Sequence, residues 1–490
     1  MIKSKAIDII RTFTPVEFKE FGKFVRSPYF NENRKLAELH GLLKRYYPDF
    51  SRKSFTKENL YVKLFGGRKY NDGTMRKLLS GMHILAERYM IHSDIADKNL
   101  FMQNLTLLKE LDERKLDTLF NSTLRKLNVI YKKLEGFEDN YFKSNFELEV
   151  AKLNFRYGKG RGGMEHGDVL GDLLRGATYL ICYSMITIFK LNQDIMSTGV
   201  GFDFDYKKTI VYRFIESLGA EKFLESFKTY APDFYPVMEI YFSRFMIAAG
   251  HDEDDRYYAK LKELVLQNLA KFTRFEQYNL MLFLENSCAQ KNISGKDFKK
   301  ELNQVHRMML STGTFRSEET DYFSLVRFRN IVRNALAIGE IKWTEEFTKN
   351  YLDILPSEFK SNMLFYSQAL MNFAMRQFDK ALENVSKVKF DIYTMKFDTW
   401  TLKLETEFEL DYYEDALYSV DSYRHSLKHD TASPQWMKTR FLNFMHIYQK
   451  IFKMRYEGSK LSETENKFLR DEISSTKELL EKEWLLEKVV

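Results

Sequence analysis

Residues that break chains are scarce in this sequence. It has 7 prolines and 22 glycines in 490 residues, where ordinary usage would place about 25 and about 34. A sandwich, barrel or propeller of this length needs far more turn residues, so an all-β fold is excluded. Cysteine is nearly absent. Cys182 and Cys288 both lie in apolar helical contexts, which reads as two free buried thiols in a reducing cytoplasm, with a disulfide between them as the alternative. No long hydrophobic run occurs. The longest, Ala177 to Phe189, is 13 residues broken by Thr, Tyr and Ser, short of the roughly 20 a spanning helix needs. It reads as a buried core helix, with no membrane insertion. The opening MIKSKAIDII has no apolar stretch of signal-peptide form, in keeping with a cytoplasmic location.

What is present points to a large, all-α protein. Hydrophobic residues make up 44% and charged residues 30%, and 42 Phe and 29 Tyr supply the bulk of a core. The net charge of +7 is unevenly placed. Residues 1–95 carry 19 Lys and Arg against 10 Asp and Glu, while the other 395 carry 57 against 59. A basic excess confined to one end points to an anionic partner there, or to a well-solvated helical surface.

Local signals divide the chain. Thr14-Pro15-Val16-Glu17 has the form of a capping box with proline in the first helical turn. Phe18, Phe21 and Val25 then share one face, and Ser27-Pro28 stops the helix. Leu36, Leu39, Leu42 and Leu43 mark the next helix, up to Tyr46-Tyr47-Pro48. Gly66 to Gly73 reads as a turn, with Asn71 or Asp72 capping a helix that carries Leu78, Met82, Leu85 and Tyr89. Residues 1–95 thus form a basic helical bundle, 96–157 a helical connector and 158–167 a mobile glycine-rich loop. Long amphipathic helices resume over 168–340, clearest at Phe214–Phe227, Tyr235–Ala249 and Tyr257–Phe272, and are read as irregular hairpins. Toward the end, Phe365 and Trp400, Phe378 and Tyr413, Ala381 and Ala416, Leu382 and Leu417, and Val385 and Val420 all stand 35 residues apart. Trp343 and Phe347 suggest a weaker third copy. A fixed period of this size marks stacked helical hairpins, read here over 341–460. Ser462-Glu463-Thr464-Glu465 opens a last helix running to Val490, so 461–490 is expected to cap the array, with a dimer contact as the other reading.

Motifs of chemistry are few. Gly158-Lys159-Gly160-Arg161-Gly162-Gly163 fits G-x-G-x-x-G formally, but a helix precedes it and no βαβ pattern follows, so it is read as an interhelical loop. His425 and His429 have metal-ligand spacing without the glutamate that zincin chemistry requires, and are read as solvent-facing. Asp252-Glu253-Asp254-Asp255 lacks a calcium loop's spacing and suits a helix start. No nucleophile elbow and no Cys-x-x-Cys occur. No metal, no cofactor and no catalytic residue is expected.

Two stretches resemble known families. Arg376 to Leu382 and Leu410 to Leu417 look like the turn and second helix of tetratricopeptide repeats, with Phe365 and Trp400 matching the aromatic of the first helix. The sequence departs from that pattern at Gln368, Asn372, Lys403, Glu407 and Tyr423. The segment Phe13 to Asn31, with Glu17-Phe18-Lys19 and Ser27-Pro28-Tyr29-Phe30-Asn31, is similar to uncharacterised bacterial helical proteins. The repeat resemblance implies an α-solenoid whose inner face would include Tyr366, Leu370, Phe373, Thr401, Glu405 and Phe408. The family's carboxylate clamp would need lysine and asparagine where Tyr366, Leu370, Thr401 and Glu405 stand, so an apolar or aromatic anchor is expected instead. The expected function is a non-enzymatic scaffold holding a protein or peptide partner. The alternative is a nucleic-acid or ribonucleoprotein-binding factor using Arg68, Lys69, Arg76 and Lys77.

Overall fold

The computed structural model describes residues 2–93, 100–131, 136–158, 166–199, 206–389, 392–457 and 463–489. Helix accounts for 78% of the described residues, which hold 24 α-helices and no strand. The fold is all-α. The chain divides into two compact units, Met1–Leu134 with Asn140–Ile181, and Glu135–Asp139 with Cys182–Val490.

In the first unit, α1 (Lys5–Thr12), α2 (Pro15–Arg26), α3 (Arg34–Leu43), α4 (Lys57–Phe65) and α5 (Asp72–Ser93) close around one hydrophobic cluster. Both halves of the capping box form. The Glu17 amide donates to Thr14 Oγ1 at 3.2 Å, and the Thr14 amide donates to the Glu17 carboxylate at 2.8 Å. Asn71 caps α5 by accepting from the Thr74 amide at 2.9 Å. Phe13, Phe21 and Tyr89 meet at 5.4 Å between ring centres. His40 is buried beside them, stacked on Phe18 at 4.7 Å. Its seat depends on Gly22, where a Cβ would lie 2.6 Å from the imidazole.

Next come α6 (Leu100–Glu113), α7 (Asp117–Tyr131), α8 (Asp139–Gly158) and α9 (His166–Gly199). Phe120 of α7 stacks on Phe155 of α8 at 3.8 Å. The expected glycine-rich loop at 158–167 falls almost wholly outside the described residues. Ala177–Phe189, read as a buried core helix, buries Cys182, Met185, Ile186 and Phe189 and exposes Ala177, Leu180 and Ile181. These residues belong to the 34-residue α9, and only 28% of its most apolar window is buried. Leu170, Leu173, Leu174, Leu180, Ile181 and Leu191 are exposed. The stretch Val169–Met196 is long and apolar enough to cross a membrane by length and composition. It also carries charges committed to neighbours, with Asp172 paired to Arg156 at 2.8 Å and Lys190 to Asp139 at 3.1 Å.

The second unit continues with α10 (Ile210–Ser217) and α11 (Ala220–Tyr230). The single helix expected over Phe214–Phe227 is therefore two, divided at Gly219 with φ 52°. Helices then follow in pairs: α12 (Tyr235–Ala248) with α13 (Arg256–Asn268), α14 (Arg274–Ile293) with α15 (Lys299–Ser311), and α16 (Leu325–Ala337) with α17 (Ile341–Tyr351). The series ends with α18 (Ser357–Ala374) and α19 (Phe378–Lys387), then α20 (Tyr393–Glu409) and α21 (Tyr413–His429). Each helix packs on its neighbours in chain order, an arrangement compatible with a helical repeat.

One junction recurs in all five pairs. A residue with positive φ, at Gly250, Gly295, Gly339, Arg376 and Asp411 in turn, ends the first helix. The next amide then donates back to the carbonyl five residues earlier, as Gln377 does to Asn372 at 2.8 Å and Tyr412 to Glu407 at 2.9 Å. This left-handed cap satisfies carbonyls that the helix end leaves free. The 35-residue pairs seen in the sequence also match in burial. Ala381 and Ala416, and Val385 and Val420, are buried, while Phe365 and Trp400 and the other two pairs are half-buried. The weaker third copy is out of step, because Gly339 precedes Arg376 by 37 residues.

Last come α22 (Gln435–Tyr456), α23 (Glu463–Ser475) and α24 (Lys482–Lys488). The helix expected to run unbroken to Val490 is two helices. Glu481, with φ 46°, sits at the start of the second.

Candidate partner-binding face

The six residues expected to line an open groove are placed by α18 and α20, and four of them are interior. Tyr366, Thr401, Glu405 and Phe408 are buried, while Leu370 and Phe373 are half-buried. The reason is the packing of each pair's first helix against the first helix of the next pair, which consumes these positions. Phe408 lies 4.7 Å from Phe452 and 6.0 Å from Tyr448 of α22. Leu370 and Phe373 pack on a small cluster of Ala369, Val385 and Leu402. As placed, the four interior side chains are covered by neighbouring elements of the same chain.

Tyr366 instead joins a charged network that the sequence reading did not find. Its hydroxyl donates to Asp398 Oδ2 at 3.0 Å. Arg329 of α16 forks onto the same carboxylate, with Nη2 donating to Oδ1 at 2.7 Å and Nε to Oδ2. Arg333, one turn on, stands 4.0 Å from Asp398 and also pairs with Glu481. Burial alone would push the Asp398 carboxyl up, but Arg329 and Arg333 outweigh it and hold it below the usual carboxylate range. Glu405 has the opposite fate. Burial, reinforced by the Glu481 carboxylate, raises it well above that range.

Similar contacts tie the earlier pairs together. Glu276 of α14 takes Arg244 of α12 at 3.2 Å and the Tyr241 hydroxyl at 2.8 Å. Glu285 of α14 takes Arg327 of α16 at 2.9 Å and lies 3.3 Å from His306 Nε2 of α15. Charges inside apolar stretches were the available signal, Arg244 between Phe242 and Phe245 being the plainest. Two departures from the repeat pattern, Glu407 and Tyr423, also have partners. Ser419 donates to buried Glu407 at 2.9 Å, and Tyr423 stacks on Trp400 at 4.4 Å.

Residues 476–489 lie on this same face. The Trp484 ring stands 5.2 Å from Phe408 and 6.4 Å from both Phe444 and Tyr448. Trp484 is half-buried, while Leu479, Leu485 and Val489 beside it are buried. Polar contacts flank the ring: Glu481 to Arg333, Glu483 to Lys299 at 2.9 Å, and Lys488 to Glu409. Asn443 of α22 donates to the Glu478 carbonyl at 2.7 Å.

The remaining constellations resolve locally. Asp252 accepts from the Tyr257 amide at 2.8 Å at the start of α13, and Lys291 neutralises it at the same distance. His425 and His429 are 4.9 Å apart between ring centres and both exposed. No cluster of three or more metal-ligating side chains occurs among the described residues. Cys182 and Cys288 are free and buried, and burial pushes their thiols up to about 12 and about 11. Tyr258 joins Cys288 at 2.9 Å to Glu301 at 2.8 Å, on the wall of an open 510 Å³ cleft.

The four basic candidates near the 66–73 turn are all exposed. Arg76 is paired with Asp72 at 2.6 Å, and Lys57 also reaches that carboxylate at 3.5 Å. Arg68, Lys69 and Lys77 have no acidic partner among the described residues. Elsewhere in this unit Phe24, Tyr29, Phe30, Arg88, Ile91 and His92 line a 670 Å³ cleft. No known protein family, curated protein or solved structure matches the chain.

Proposed function

We propose that this protein is a non-enzymatic scaffold that holds a protein or peptide partner on a tetratricopeptide-like α-solenoid. The observation that carries the reading is the series of helix pairs built with one junction, at Gly250, Gly295, Gly339, Arg376 and Asp411. Stacked hairpins of this kind generate an extended face whose side chains come from many helices. Buried Ala381 and Ala416 fit the close helix approach that the resemblance implies. In this reading α1–α5 form a separate N-terminal bundle, and the protein works in the cytoplasm without inserting into a membrane. The test is affinity purification of the tagged chain from its native cytoplasm, split with and without nuclease and read by mass spectrometry. A stoichiometric protein partner that survives nuclease is the expected result, and its absence in both arms refutes the scaffold.

A second reading rests on the unpaired cations Arg68, Lys69 and Lys77. It makes the N-terminal unit a grip for nucleic acid, with affinity falling steeply from low to moderate salt. Reversing these three charges should then abolish binding to a generic single-stranded or duplex probe. Unchanged binding would rule this reading out. Arg76, already held by Asp72, should matter less.

A further inference from the structure

We infer that residues 476–489 occupy a partner's seat on this face, and that the partner is an acidic amphipathic segment with a large apolar anchor which displaces them. The inference rests on the scaffold reading and gives its partner a chemistry.

The seat is defined by what fills it. Phe408, Phe444 and Tyr448 form an aromatic floor under Trp484. Arg333 and Lys299 supply two cations at one side, where they meet Glu481 and Glu483. An occupant therefore needs acids just before a bulky apolar residue, as Glu481, Glu483 and Trp484 show, and a following apolar residue in the place of Leu485. Such anchoring by one aromatic in a pocket with charged flanks is the usual economy of helix-in-groove recognition.

The present occupant fits its seat imperfectly, which is what makes it displaceable. The Trp484 indole nitrogen is buried with no hydrogen-bond partner, and a buried donor left unpaired opposes binding. Glu481 is a non-glycine residue at φ 46°, a conformation L-residues adopt at a cost. The Glu481 carboxylate also faces the buried carboxyl of Glu405. Glu483, which pairs with Lys299, remains 83% exposed, so that contact holds the segment only weakly. A phenylalanine or leucine anchor, entering without a left-handed residue, would avoid the first two penalties and keep both cation contacts.

The experiment uses a labelled peptide of residues 476–489 and a chain ending at Ser475. Fluorescence anisotropy should show the peptide binding the shortened chain at least tenfold more tightly than it binds the full chain. A peptide with Glu481 and Glu483 replaced by lysine, or with Trp484 replaced by alanine, should lose at least tenfold. If the shortened chain does not fold, the full-length Trp484→Ala, Glu481→Lys variant replaces it, with raised hydrogen exchange over 476–489 confirming an open seat. A folded, open chain that fails to bind the peptide overturns the inference, as does equal binding by open and closed forms. A nuclease-resistant partner captured equally by both forms also overturns it, yet leaves the scaffold reading standing. Peptide binding with no such partner in either form counts against the scaffold and overturns the inference with it, leaving the segment as a reversible cap of this chain alone.

Discussion

Replacing Asp398 by asparagine should loosen three helices at once. The carboxylate accepts two charge-assisted bonds from Arg329 and one from Tyr366, and Arg333 stands 4.0 Å away. The amide keeps the shape but leaves two guanidinium groups facing a neutral side chain, one of whose groups is itself a donor. Removing one member of a buried ion pair costs about 3–5 kcal/mol. Asp398 retains 14% exposure and Arg329 23%, so solvent offsets part of this, and about 3 kcal/mol is the expected loss. A chain of 490 residues need not unfold in one step, so a global midpoint is a poor readout. Hydrogen exchange of α16, α18 and α20 reports the local opening instead, and about 3 kcal/mol corresponds to roughly a hundredfold faster exchange. The double variant Asp398→Leu, Arg329→Met should lose less than Asp398→Asn, because no charge at that pair is then left unmatched. Exchange in those helices accelerated less than tenfold by Asp398→Asn would show that the pair is not holding them together.

Three other expectations follow from the same geometry. Burial, then the Arg26 charge, depresses His40 to about 4. Below about 6.5 the unfolded chain binds this proton first, so stability falls as pH drops from 6.5 toward 4. The loss should be about 2.5 kcal/mol by pH 4.5. Urea titrations of α1–α5, compared with His40→Phe, should show that slope and its removal; equal slopes would refute it. Arg376 and Asp411 hold φ 58° and 59°, so glycine at either should stabilise by about 0.5–1 kcal/mol and slow hydrogen exchange in the flanking helices; faster exchange would mean their side chains, such as Asp411 paired with Arg455, matter more than their backbone. The raised thiols of buried Cys182 and Cys288 should react with a disulfide reagent only after denaturant is added; rapid native labelling would contradict their burial.

Local signals in the sequence were dependable where one turn decides the outcome. The Thr14 capping box and the stop before Pro28 needed nothing beyond neighbouring residues. The pairing of helices was legible only in part, for a geometric reason. Successive junctions stand 45, 44, 37 and 35 residues apart, so only the last two pairs share a register with the apolar pattern. The split at 476–481 was illegible because Thr-Lys-Glu-Leu-Leu-Glu contains neither proline nor glycine and continues a helical pattern. Packing of Leu479 and Trp484 overrides that local preference. The resemblance placed Tyr366 and Phe408 on helices of the right pairs, but it did not supply their partners. Asp398, Arg329 and Arg333 come from helices whose meeting no single-helix pattern encodes.

Arg333 links the ion-pair network to the seat. It is shared between Asp398, which belongs to the packing of the array, and Glu481, which belongs to the segment lying on it. Without Glu481, Arg333 keeps the Tyr366 hydroxyl and a 4.0 Å contact with the Asp398 carboxylate, which Arg329 and Tyr366 already engage. A partner that supplies an acid at that place therefore restores a contact that the array cannot provide for itself. The same sharing makes the two elements energetically dependent. Asp398→Asn removes the competitor for Arg333 and should strengthen its pairing with Glu481. Exchange over 476–489 should then slow or stay constant while α16, α18 and α20 open faster. If the segment loosens together with those helices, Arg333 is not partitioned between two carboxylates, and the segment is simply one more layer of the stack.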